Sequence, residues 1–128
     1  MKRLLPVLVL IFSLASVAEA AAPSADVSFD GSYKDGSPVE VTSFTYYSVS
    51  LACKEGPATA SNSGSPLPAM KVNGKGKFKG KFNSGGAKTA VTGRYNRKLT
   101  KVRGTLQIKG AYGGYTGCDS GKLKWVTN

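Results

Sequence analysis

Residues 70–109, MKVNGKGKFKGKFNSGGAKTAVTGRYNRKLTKVRGTLQIK, decide the fold. Met70, Val72, Gly74, Gly76, Phe78, Gly80 and Phe82 share one parity, with Lys at most of the positions between. Thr89, Val91, Gly93 and Tyr95 repeat that alternation, and so do Val102, Gly104, Leu106 and Ile108. A period of two places alternate side chains on opposite faces of a strand, so each run reads as half-buried β-structure. The links at 83–88 and 96–100 are short and polar, which suits antiparallel hairpins. Asn73-Gly74 offers a tight turn that would break the first run in two. Gly80, Gly93 and Gly104 each follow an inward apolar residue by two positions. Inward glycines mark a bend, a bulge or a close backbone approach.

The same alternation extends outward from this stretch. Downstream, Leu123 and Trp125 share the inward parity of a last strand. Upstream, Val27, Phe29, Gly31 and Tyr33 alternate, Lys34–Ser37 reads as a turn, and Val39 and Val41 resume. The phase slips near Ser43 before Tyr47, Val49 and Leu51 lead to Cys53, which predicts a bulge or short turn there. Tyr46 and Tyr47 must face opposite ways. Residues 54–68, KEGPATASNSGSPLP, read as one flexible loop. No amphipathic helix is recognisable. The expectation is a single all-β domain: an antiparallel β-sandwich of about seven or eight strands with a C-terminal meander. A small closed or partly open β-barrel is the alternative. Phe78, Phe82, Val91, Tyr95, Val102, Leu106, Ile108, Leu123 and Trp125 should form the core.

The first twenty residues read as an address. Met1-Lys2-Arg3 precede an apolar stretch from Leu4 to Val17, and Ala18-Glu19-Ala20 forms an A-x-A cleavage pattern. This is the layout of a secretory signal peptide. The apolar stretch is shorter than the roughly 18–20 residues that span a bilayer. Residues 1–20 are therefore expected to be cleaved, leaving 21–128 as an exported domain, secreted or periplasmic, with no membrane span. Two cysteines in an exported chain of this size are expected to pair, as Cys53–Cys118.

Charge is divided unevenly. The chain has 18 Lys and Arg against 7 Asp and Glu, a net charge of +11. Residues 21–70 hold two Lys against five acids, whereas residues 71–128 hold 14 Lys and Arg against Asp119 alone. Parity places Lys71, Lys75, Lys77, Lys79 and Lys81 opposite Val72, Phe78 and Phe82 if 70–82 is one strand. Arg94, Lys101, Arg103, Lys109, Lys122 and Lys124 take the polar parity of their own strands. If these strands are neighbours, their outer face is a basic sheet, which attracts polyanions through its field and through counterion release. Lysines on exposed strands also maintain solubility and block edge-to-edge pairing, and composition alone does not separate the two roles. Residues 110–117, GAYGGYTG, add Tyr112 and Tyr115 in a glycine-rich loop. Their rings are stacking platforms if exposed, or core residues if they fold back.

The chain has no His. That excludes Ser-His-Asp and Cys-His nucleophile pairs, His-ligated zinc and an imidazole pH switch. Gly117–Gly121, GCDSG, echoes the surroundings of a trypsin-like serine, but without His it reads as a turn. GKGKFKGK lacks the spacing of a phosphate-binding loop. Asp26, Asp30, Asp35 and Glu40 suit turn and surface roles better than a calcium site. No enzyme activity, cofactor or metal is expected.

VTGRY, KVRGTLQI and GCDSGKLKWV together resemble small, exported, uncharacterised bacterial all-β proteins that end in C-x-S-G-x-[VL]-x-W. The matching positions are Val91, Gly93, Tyr95, Val102, Gly104, Thr105, Cys118, Ser120, Gly121, Leu123 and Trp125. Gly31-Ser32-Tyr33 and Cys53 fit the same layout. The resemblance implies an exported all-β domain with one disulfide and implies no activity. Three functions follow as expectations. The first is a non-catalytic module whose basic face (Lys71, Lys75, Lys77, Lys79, Lys81, Arg94, Lys101, Arg103, with Tyr112 and Tyr115) binds an anionic polymer such as envelope polysaccharide or nucleic acid. The second is a structural or protein-interaction domain of the envelope. The third is a barrel for a small apolar ligand.

Overall fold

A computed structural model describes residues 24–127. The expected signal peptide, residues 1–20, lies outside them. Ten strands follow in order, with no helix among the described residues: β1 (Asp26–Lys34), β2 (Ser37–Tyr47), β3 (Val49–Cys53), β4 (Gly56–Ala60), β5 (Met70–Lys71), β6 (Lys77–Ser84), β7 (Ala87–Tyr95), β8 (Val102–Tyr112), β9 (Tyr115–Asp119) and β10 (Leu123–Thr127). They form two antiparallel sheets. The smaller is β1-β2-β5; the larger runs β4-β3-β9-β8-β7-β6, with β10 also paired to β8. The sheets pack as a sandwich and do not close, so the barrel alternative fails. The chain changes sheet at Ser48, whose left-handed φ of 50° turns β2 into β3.

The meander β6-β7-β8 has the parity read from the sequence. Phe78, Val91, Tyr95, Val102, Leu106, Ile108, Leu123 and Trp125 are buried, while Phe82 is half-buried. One row across the large sheet explains the inward glycines. Phe78, Gly93, Gly104 and Trp125 stand side by side on β6, β7, β8 and β10. Strand spacing separates the outer two backbones by about 14 Å. Their rings nevertheless meet with centroids 6.2 Å apart, because the two glycines leave room for them to lean inward. A Cβ on Gly93 would overlap the Phe78 ring, and one on Gly104 would overlap the Thr92 carbonyl. Phe29 and Phe44 from the opposite sheet close over this row, with centroids 5.9 and 5.5 Å from Trp125. The space that the third functional expectation needed for an apolar ligand is here filled by aromatic rings.

Three details depart from the sequence reading, and one choice that it left open is decided. Residues 54–68 are not one loop: Gly56–Ala60 is a strand paired with β3, and Leu67 bonds back to Phe44. Residues 70–82 are not one strand but divide at Asn73-Gly74, the break that the sequence offered. The Asn73 side chain accepts the N–H groups of Lys75 and Lys77 at 2.9 and 3.0 Å, turning the chain between β5 and β6. GAYGGYTG is a hairpin in which Tyr112 faces Tyr115 across Gly113-Gly114, both with positive φ. The strand count is ten because these segments pair. The slip expected near Ser43 is a bulge at Thr42, which the register skips between Val41 and Ser43.

One edge of β8 is shared by β9 and β10, which lie end to end along it. Between them Ser120 maintains the ladder: its N–H donates to the Ile108 carbonyl, and its Oγ accepts the Ile108 N–H at 2.8 Å. The β3–β9 seam is thinner, with a single registered pair, Ala52 and Asp119. The Cys53–Cys118 disulfide fastens it, and Glu55 reaches across to accept the Thr116 N–H (2.8 Å) and hydroxyl (2.6 Å). The Thr116 hydroxyl and then its N–H hold the Glu55 carboxyl below its ordinary pKa. A depressed folded-state pKa contributes stability above the unfolded value, and the contribution is lost as pH falls through the folded value. Glu55→Gln is therefore expected to lower the melting temperature near neutral pH, with the gap to the parent narrowing as pH falls through the carboxylate range. Thermal melts across that range check this; a gap independent of pH would contradict it.

Candidate anion-binding face and groove

With β7 and β8 in register, the outward positions of the large sheet form rows. Lys77, Arg94 and Arg103 stand directly opposite one another on β6, β7 and β8. Lys79, Thr92, Thr105 and Lys124 make the next row, and Asn83, Lys88, Lys109 and Asp119 another. Lys81 lies between them on β6. All eight of these cations are exposed. Asp119 at the border pairs with Lys109 at 3.9 Å, the one ion pair among the described residues. Gly121 N–H, Gln107 and Lys109 keep the Asp119 carboxyl below its ordinary pKa, the Gly121 contribution being largest. Like charges directly opposite on neighbouring strands are destabilising. The Lys77–Arg94–Arg103 row is therefore retained at some cost to the fold.

The face thus gathers five of the expected residues, Lys77, Lys79, Lys81, Arg94 and Arg103. It also gathers Lys88, which parity assigned to the same side but the sequence reading did not single out. Lys71 is not part of it. Once the Asn73 turn separates β5 from β6, Lys71 lies in the smaller sheet opposite Glu40. Lys75 and Lys101 leave the face as well, but they do not leave the basic region.

Both sit at one end of the sandwich, where three turns meet: the start of β2, the 72–77 turn and the 95–101 turn. They enclose a groove of about 1110 Å³. Its cations are Lys75, Lys77, Arg94, Arg97, Lys101 and Arg103, and no acid lines it. Pro38, Val39, Val72, Tyr95 and Leu99 supply apolar wall. Lys77, Arg94 and Arg103 belong to both groove and face, so the two are continuous. Asn96 builds the third turn, its Oδ1 accepting the N–H groups of Thr100 (2.9 Å) and Lys101 (3.2 Å). That turn holds Leu99 in a left-handed conformation, φ 58°, with its side chain 40% exposed. The sequence signal for this site was the position of arginine: outside the first twenty residues, Arg94, Arg97 and Arg103 are the only arginines in the chain.

The tyrosines divide. Tyr112 folds back: its hydroxyl donates to the Ser61 carbonyl at 3.0 Å and accepts the Ser61 N–H at 3.1 Å, and its ring packs on the core. Tyr112 is thus a packing residue and not an exposed stacking platform. Tyr115 is 37% exposed and lies at the hairpin tip, away from the groove. Of the adjacent pair, Tyr46 is buried and Tyr47 exposed, with burial chiefly raising the Tyr46 pKa. Tyr95, beneath the groove, has a buried hydroxyl without a hydrogen-bond partner. Burial, then the neighbouring Tyr33, pushes its pKa up to about 12. Gly31 makes room for it; a Cβ there would lie 3.1 Å from the hydroxyl.

Among the described residues no three His, Cys, Asp or Glu side chains gather as metal ligands, and no helix is long and apolar enough to cross a membrane. Compared with protein-family models, with curated proteins and with solved structures, the chain matches none.

Proposed function

We propose that this chain is an exported, non-catalytic binding module for anionic polymers, such as acidic envelope polysaccharide or nucleic acid. The observation that carries the reading is the face itself: eight exposed cations on four neighbouring strands, with one acid at its border. Cation spacing of about 5 Å between strands and 7 Å along them suits a chain with a charge on every repeat unit. Export is supported by the N-terminal pattern of charge, apolar run and small residues, and by a disulfide, which persists in oxidising compartments.

The test is binding to a labelled single-stranded oligonucleotide and to an acidic polysaccharide across a salt series. Affinity is expected to fall steeply with salt. Replacing Lys77, Lys79 and Lys81 by Ser should weaken binding more than tenfold at low salt. It should also flatten the log–log slope by about 0.7 for each phosphate of the single strand that is no longer neutralised. Absence of binding at low salt, or an unchanged slope in the triple variant, would overturn the reading and leave the lysines as solubility residues.

A further inference from the structure

The groove differs from the face in kind, not only in place. The face is mostly lysine, whereas Arg94, Arg97 and Arg103 all line the groove. Lysine is a compact, strongly hydrated charge that tracks a polymer without fixing its geometry. The guanidinium is a planar fork that bonds two oxygens of one anion at once. Three forks and three lysines with no opposing acid supply more donors and more charge than a single carboxylate can use. A phosphomonoester, with three free oxygens and a charge near −2, matches that set far better. The apolar wall has a separate use. Val39 and Leu99 are 39% and 40% exposed at the groove, and Leu99 is held there in a left-handed conformation that non-glycine residues rarely adopt. An apolar wall beside a cationic cluster accommodates the uncharged face of the ring that carries the phosphate.

We infer that the groove is an end-group site: it takes the terminal phosphomonoester of an anionic polymer whose body lies along the lysine face. The inference rests on the polyanion reading and adds direction to it. Because Lys77, Arg94 and Arg103 belong to both surfaces, a chain seated end-first in the groove continues onto the sheet without a gap.

The experiment compares one oligodeoxynucleotide carrying a terminal phosphate with the same oligomer ending in a hydroxyl. The parent protein should bind the phosphorylated form about tenfold tighter. The triple variant Arg94→Lys, Arg97→Lys, Arg103→Lys keeps every charge but loses the forks. It should bind both oligomers equally, whatever its affinity for the hydroxyl-ended one. All three side chains are exposed, and a thermal melt verifies that the variant is folded. If the parent binds both oligomers equally well, or the triple variant keeps the preference, the end-group site is overturned while the polyanion reading stands. If neither oligomer binds at low salt, both fall.

Discussion

Replacing Cys53 and Cys118 together by serine is expected to lower the unfolding free energy by about 4 kcal/mol. The figure comes from the chain entropy of cross-linking positions 65 residues apart. For a domain of this size, whose whole stability is of order 5–15 kcal/mol, that is a large fraction. It should appear as a fall in melting temperature on the order of 20 °C. Where the loss is felt follows from the sheet. β3 and β4 pair with the rest of the large sheet through the β3–β9 seam, which has one registered pair besides the disulfide, with the Lys54 N–H to Thr116 carbonyl bond, the Glu55–Thr116 bonds and the Tyr112–Ser61 bonds beside it. Hydrogen exchange in the serine variant should therefore accelerate first in β3 and β4 and last in β7 and β8. A melting temperature lowered by only a few degrees, or uniform loss of protection, would show that inter-sheet packing and not the disulfide holds the seam.

The second large effect is at Trp125. Its ring is 3% exposed, meets Phe29, Phe44 and Phe78, and its Nε1–H donates to the Thr105 carbonyl at 3.0 Å. Trp125→Ala should cost about 3–5 kcal/mol, because the rings around it are anchored on separate strands and cannot collapse into the space. Trp125→Phe keeps most of the packing and loses the hydrogen bond, so about 1–2 kcal/mol is expected. Urea unfolding of both variants checks the order. An alanine variant within about 1 kcal/mol of the parent would mean that the core relaxes around the loss.

The sandwich was legible where burial imposes a period of two. β6, β7, β8 and β10 each carry large apolar residues on one parity and charge on the other, so faces followed without knowledge of neighbours. β4 was not legible, since Gly56–Ala60 has neither β-branched apolar residues nor alternating charge; it is a strand because β3 offers it an edge. The face was readable for the same reason as the strands. Lys71 and Lys75 were misplaced because one Asn73 side chain decides whether 70–82 is straight or turned, and parity beyond a turn carries no information. The groove showed in the sequence only as the three arginines Arg94, Arg97 and Arg103; its shape did not. It depends on which turns share an end of the sandwich, and that is topology.

The Phe78–Gly93–Gly104–Trp125 row has a consequence for descent. Its four members lie on four strands, yet they fill one volume. A side chain at Gly93 is sterically open only after Phe78 shrinks, and Gly104 is closed by backbone that no neighbouring substitution can remove. Relatives that diverge elsewhere are therefore expected to keep Gly104 unconditionally and to vary positions 78 and 93 as a compensating pair. Paired variation of that kind would mark kinship after overall identity has faded.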